Sequence, residues 1–237
     1  MVKGTMFSNY RETGLPSSTI RIYSAQDADE LCFINLERSV DGFNRLITIL
    51  SDASKECFIP LTAGGGVTDF SQIVQLFNNG ADKVLLTSCL ANNLSLLTTA
   101  SKNYGSQSIV AGIDYFMSNS RPIIATNHGQ IKLDVDIVDY AKEIQDAGAG
   151  EIFLNCISCD GLMEGYDLET AEAVSSILTI PTIISGGAGN YLHLKQALQI
   201  PSISAAACAS LFHFGDNNPI RARAYLRNAS IPMRRYK

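Results

Sequence analysis

Short apolar runs alternate with longer amphipathic stretches almost from end to end of the chain. The runs at 30–36, 58–62, 83–87, 108–113, 151–156, 182–185 and 203–207 predict strands. They lack the strict in–out alternation of a half-exposed strand, which predicts parallel strands buried on both faces. Amphipathic stretches at 41–54, 69–79, 92–103, 136–147, 168–178, 191–199 and 218–228 predict helices, and a further helix over 16–27 opens the chain. The segment "RPIIATNHGQIKLD" (121–134) predicts a hairpin turning at His128-Gly129. Strand–helix alternation at this spacing means an α/β fold. No low-complexity linker or shift in composition divides it, so one domain spanning 1–237 is expected.

A repeat narrows the fold. Gly187 of "PTIISGGAGNY" follows Gly65 of "PLTAGGGVTDF" by 122 residues, and Ser210 follows Ser88 by the same 122. Glu151 follows Glu30 by 121. Two similar halves of this length predict a (β/α)₈ TIM barrel made of two half-barrels, since a doubly wound sheet carries one glycine fingerprint rather than two. Only seven strands can be counted, and the position matching Asp114 in the first half falls before Met1. The first barrel strand is therefore expected to be missing from this sequence.

Composition adds exclusions. The chain has 237 residues, 46% hydrophobic and 17% charged, with a net charge of −5. That balance argues against a nucleic-acid partner, and the one basic cluster, "RRYK" at 234–237, reads as a solvated tail. No apolar run is long enough for a membrane span and "MVKGTMF" is no signal peptide, so a cytoplasmic location is expected. Six scattered cysteines read as small buried hydrophobes. "CISC" at 156–159 resembles a redox or metal pair, but no second pair or histidine stands at zinc-ligand spacing, and neither metal nor cofactor is expected.

In a barrel the loops after the strands form the active face. Glycine there lets bare backbone N–H groups approach an anion. Gly65 and Gly66 with Thr87 and Ser88 predict one phosphate pocket; Ser185, Gly187 and Gly189 with Ser210 predict another. Two such pockets at one barrel mouth imply a substrate with a phosphate at each end. As single features these glycines would be tight turns; the matched pair of glycine turns and serines carries the binding expectation.

The segments "VKGTMF", "DADEL", "PLTAGGGV", "GID", "AGAGEIFL", "DGLMEGYDLE", "SGGAG" and "ASLFHFG" run in order over essentially the whole chain. Through them the sequence resembles the cyclase subunits of imidazole glycerol phosphate synthase, of the histidine pathway. The resemblance implies a (β/α)₈ barrel, a bisphosphorylated nucleotide substrate, and ammonia delivered by a glutaminase partner. It assigns proton transfer to Asp114, with a second carboxylate on the first strand. It makes Lys3 a substrate-positioning residue and Asp160-Gly161 a loop that contacts substrate hydroxyls. Glu30, Lys83 and Glu151 become a salt-bridged gate for ammonia, whose arginine partner belongs to the first strand. His213 is read as structural, while His128 and His193 carry no role.

Three positions depart from that pattern: Asn35 stands where Asp is usual, Ser158 replaces an Asp, and Thr87 replaces an Asn. They leave open a paralogue that delivers ammonia to a sugar nucleotide in surface-polysaccharide synthesis, and a barrel serving only as scaffold for a glutaminase.

Overall fold

A computed structural model of the chain describes residues 1–37 and 39–234. Three of the four residues of the basic "RRYK" cluster lie outside the described residues. The described chain carries strands β1 (Val2–Thr5), β2 (Ser8–Glu12), β3 (Leu31–Ile34), β4 (Leu61–Gly64), β5 (Lys83–Leu86), β6 (Ile109–Ser118), β7 (Arg121–Thr126), β8 (Ile131–Lys132), β9 (Glu151–Cys156), β10 (Thr182–Ser185) and β11 (Ala205–Ala206). Its helices are α1 (Pro16–Ala25), α2 (Val40–Ala53), α3 (Phe70–Asn78), α4 (Leu94–Tyr104), α5 (Ile137–Asp146), α6 (Leu168–Ser175), α7 (Tyr191–Leu198), α8 (Ser210–His213) and α9 (Pro219–Asn228). The fold is α/β, with the repeating parallel strand–helix units of a (β/α)₈ barrel. Seven of its parallel strands, β3, β4, β5, β6, β9, β10 and β11, lie among the described residues.

The helices begin where a short polar side chain can take up a free amide of the first turn. Ser39, Asp69, Asn93, Asp167, Asn190 and Asn218 each accept a hydrogen bond from a backbone N–H three residues on. These caps explain why the predicted helix starts fall within two residues of the observed ones.

The chain forms two compact units, one of Gly14–Gly112 and Lys142–Ile152, the other of Met1–Thr13, Ile113–Ala141 and Phe153–Lys237. In the first, β3, β4, β5 and the start of β6 pair in parallel, Leu31 opposite Leu61, Ala63 opposite Val84, and Leu85 opposite Val110. Residues of β4 and β5 are buried on both faces, apart from half-buried Lys83, which is why their sequences show no alternation. Leu46 and Leu50 of α2, Ile73 and Leu76 of α3, and Leu97 of α4 close the core with Leu61, Val84 and Leu86.

In the second unit β10 pairs in parallel with β11, and Ala188, Leu194, Leu211, Ala222 and Leu226 form a buried cluster. The expected hairpin is there, with Asn127, His128 and Gly129 all at positive φ in its turn. It is larger than expected: β7 also pairs back onto an extended β6, Tyr115 opposite Ile124 and Ser118 opposite Arg121. Asn119 and Ser120, both at positive φ, close that two-residue turn.

The helix over 16–27 does not open the chain. Residues 2–12 form an antiparallel hairpin, β1 with β2. Its turn places Met6 and Phe7 at positive φ without a glycine, so no residue type in the sequence marks it. The cysteines also differ from expectation. Cys156 is buried, but Cys57, Cys89, Cys159 and Cys208 are half-buried and Cys32 is exposed.

Candidate functional site

The N-terminal ends of β3, β5 and β9 bring three charges together in one unit. Lys83, first residue of β5, donates to Glu30 Oε2 at 2.9 Å and to Glu151 Oε1 at 2.6 Å. Thr62 Oγ1 donates to Glu30 Oε1 at 2.6 Å. Burial pushes the Lys83 ammonium down, but hydrogen bonds and charge from Glu151 and Glu30 outweigh it and hold its pKa above the usual lysine value. Glu151 Oε2 is buried with no hydrogen-bond partner among the described residues. The cluster thus leaves one buried acceptor for a donor to fill.

The first glycine turn lies in the same unit, directly after β4. Gly65 sits at φ +91° and Gly66 at φ +73°. A Cβ on Gly65 would overlap the Asn35 carbonyl, so only glycine fits. Asn35 itself is turned onto its own loop, its Nδ2 donating to Glu37 O at 2.6 Å. β5 stops at Leu86, one residue short of the expected end at Thr87, and Ser88 starts a 3₁₀ turn, Ser88–Ala91. The Thr87 methyl packs where a side chain on Gly112 would stand.

The other unit holds the second turn. Gly187, at φ +111°, has no room for a Cβ against the Gly165 carbonyl, and Gly165 N–H donates to Gly187 O at 2.8 Å. Gly187→Ala is expected to lose about 1–3 kcal/mol from the positive φ alone, with the overlap in addition. A urea midpoint matching the parent's would show the turn is not so constrained. The Gly189 amide is engaged, donating to His193 Nδ1 at 3.1 Å. His193, given no role from sequence, therefore braces this turn. Ser185 closes β10. Ser210 begins α8, and its Oγ is buried without a partner among the described residues. An unpaired buried hydroxyl costs about 1–3 kcal/mol until something bonds it.

Asp114 lies in this unit on β6, half-buried, accepting a 2.8 Å hydrogen bond from Asn155 Nδ2. Desolvation raises its pKa to about 6; the Asn155 bond opposes this and the charge of Asp160 adds to it. A carboxyl in that range gives up and takes back protons near neutrality. Lys3 and Asp160 are brought together as well, Nζ to Oδ1 at 2.5 Å. Met6 N–H donates to Asp160 O at 2.8 Å, and Gly161 packs so closely on Gly4 that a Cβ would not fit. The β1–β2 hairpin is thereby latched onto the loop after β9. Ser158, where the resemblance calls for Asp, accepts from Met117 N–H at 2.9 Å. His213 is held below the usual histidine pKa by burial and then by the charge of Lys3, so it is uncharged at neutral pH.

Sequence reasoning missed Asn155 and His193 as supports, and the Lys3–Asp160 pairing. Asn155 carries a legible signal, a polar residue inside the apolar run "EIFLNC". Among the described residues no helix is long and apolar enough to cross a membrane.

A family profile described as "Histidine biosynthesis protein" matches residues 1–218. The chain is 36% identical over 234 residues to imidazole glycerol phosphate synthase subunit HisF of Chlorobium limicola, covering 99% of this chain and 93% of that protein. With matched glycine turns in its two halves and a strand-borne carboxyl near neutrality, the chain belongs to the histidine biosynthesis protein family.

Proposed function

We propose that the chain is the cyclase subunit of imidazole glycerol phosphate synthase, acting as one cytoplasmic (β/α)-barrel domain without a cofactor. It would take ammonia from a glutaminase subunit, with which it forms a heterodimer. The substrate would be the phosphoribulosyl-formimino aminoimidazole carboxamide nucleotide, and the products imidazole glycerol phosphate and aminoimidazole carboxamide ribotide. The observation that carries this reading is Asp114, a desolvated carboxyl with a pKa of about 6.

Ring closure needs ammonia to add to a carbonyl, water to leave and a C–N bond to break, and each step moves protons. At pH 7 Asp114 is mostly carboxylate and accepts the proton that ammonia loses on addition. It then returns a proton to the departing hydroxyl. Asn155 holds the carboxylate oriented. Gly65, Gly66, Thr87 and Ser88 would bind one phosphate. Ser185, Gly187, Gly189 and Ser210 would bind the other, the buried Ser210 hydroxyl gaining the partner it lacks. Lys3 and Asp160-Gly161 would exchange part of their mutual pairing for substrate contacts. Glu30, Lys83 and Glu151 would gate ammonia from the glutaminase side.

Supplying ammonium salt and the bisphosphate substrate to the purified chain is the test, with imidazole glycerol phosphate followed by mass spectrometry. Formation that rises with free ammonia supports the reading. In the same assay Lys3→Ala is expected to raise KM about tenfold or more, since it removes one charge-assisted contact of about 1.5–3 kcal/mol. Bisphosphate binding without product in any ammonia concentration would favour the sugar-nucleotide paralogue, to which the locally tied Asn35 and Ser158 side chains lend support.

A further inference from the structure

We propose that Cys156 and Cys159 form a dithiol–disulfide redox site in the turn between β9 and Asp160. Cys156 ends β9, and the chain turns at once, Cys159 N–H donating to Cys156 O at 3.2 Å. That turn brings the two sulfurs to 3.4 Å, both as free thiols. A disulfide needs about 2.05 Å, so closure asks for a sulfur displacement of roughly an ångström and a half, within reach of side-chain rotation.

The surroundings favour chemistry over inert packing. Tyr115 donates its hydroxyl to Asp167 Oδ2 at 3.1 Å, and both lie beside the thiols. Hydrogen bonding from Cys159 lowers the Cys156 pKa against the opposing effect of burial. The first proton lost therefore belongs to the pair, steadied between two sulfurs. Cys156 is buried, whereas Cys159 is half-buried and open to a small reagent. Among the described residues no group of three or more His, Cys, Asp and Glu is placed to hold a metal ion, which leaves the pair's own redox chemistry.

The oxidant is a small-molecule disulfide. As the shared proton passes across the 3.4 Å gap from Cys159 to Cys156, the Cys159 thiolate it leaves attacks one sulfur of the oxidant. A protein–oxidant S–S bond forms and the first thiolate leaves. Cys156 then attacks the Cys159 sulfur, its proton passing to the second departing thiolate. Two protein thiols and one disulfide become one protein disulfide and two small thiols, two electrons having moved.

Location gives the bond a consequence. Cys159 Cβ lies 3.1 Å from where a Cβ on Gly187 would stand, and the next residue, Asp160, holds Lys3 and the Met6 amide. Rotating Cys159 toward Cys156 tightens the turn between the second glycine turn and the hairpin latch.

The test needs no substrate and stands apart from the cyclase reading. The folded full chain is equilibrated at a series of reduced-to-oxidised glutathione ratios, quenched with acid, unfolded in urea, alkylated, and analysed by mass spectrometry. Under oxidising ratios the six alkylated cysteines of the reduced chain should fall to four, both losses on the peptide holding Cys156 and Cys159. Exchange of the Met6 amide should slow at the same ratios. Cys159→Ser and, separately, Cys156→Ala should keep every remaining cysteine alkylated. Full alkylation at all ratios, a glutathione adduct with no internal bond, or the same loss in Cys159→Ser would each overturn the proposal.

Discussion

Replacing Asp114 with asparagine is expected to lower ammonia-dependent turnover by about 10²–10⁴-fold, the range of a general acid–base group, while making the folded chain more stable. The two effects share one cause. Burial raises the carboxyl from 3.8 to about 6, so the folded chain holds this proton more tightly than the unfolded chain does. As pH rises from about 4 to 6, the unfolded chain sheds the proton first and stability falls; above that window the loss is complete. Two pKa units at 1.36 kcal/mol each amount to about 3 kcal/mol. Asparagine carries no such proton, and its amide oxygen still accepts from Asn155. The gap between variant and parent should open between pH 4 and 6 and stay level to pH 8 in urea unfolding. In the parent, turnover should decline as pH falls through about 6, because the base becomes protonated. A variant no more stable than its parent at pH 8 would mean that Asp114 is not desolvated as the fold places it.

Lys83→Met should produce the largest loss of stability, about 3–5 kcal/mol, typical of removing one partner from a buried ion pair. Lys83 is 18% exposed and bridges Glu30 and Glu151. Methionine fills the same volume but leaves two carboxylates facing each other with no cation between them. Glu151 would lose the donor to Oε1, and its Oε2 already lacks a partner among the described residues. The loss should shrink when Glu151→Gln is added, because that change removes one of the two facing carboxylates. The parent has its own signature at the alkaline end. Because the Lys83 pKa is raised in the folded state, its contribution is complete below the ordinary lysine pKa and disappears as pH climbs through the elevated one. Chemical denaturation across pH 4 to 11 reads both. Equal stability of Lys83→Met and parent at pH 8 would show that the cluster is solvated and carries no strain to relieve.

The succession of elements was legible in the chain because it depends on local pattern. Strands 151–156 and 182–185 are observed at their predicted bounds, each an apolar run between polar punctuation. The helices start at Asp, Asn and Ser caps that can be read residue by residue. The repeat pointed to Gly65 and Gly187 as matched turns, and both have positive φ and no space for a side chain. The N-terminal hairpin was not legible, since its turn is made by Met6 and Phe7 at positive φ, residues that advertise no turn. Nor did pattern reveal that Lys83 would find Glu30 and Glu151, 53 and 68 positions away; that expectation came from resemblance alone. Tertiary structure decided that Lys3 meets Asp160 across 157 positions, that Asn155 holds Asp114, and that two cysteines of a short motif face each other. The division has a physical reason. Hydrophobic periodicity and capping are settled within a few residues, whereas the pKa of Asp114 and the pairing of Lys83 depend on which distant groups the packed strands exclude from water.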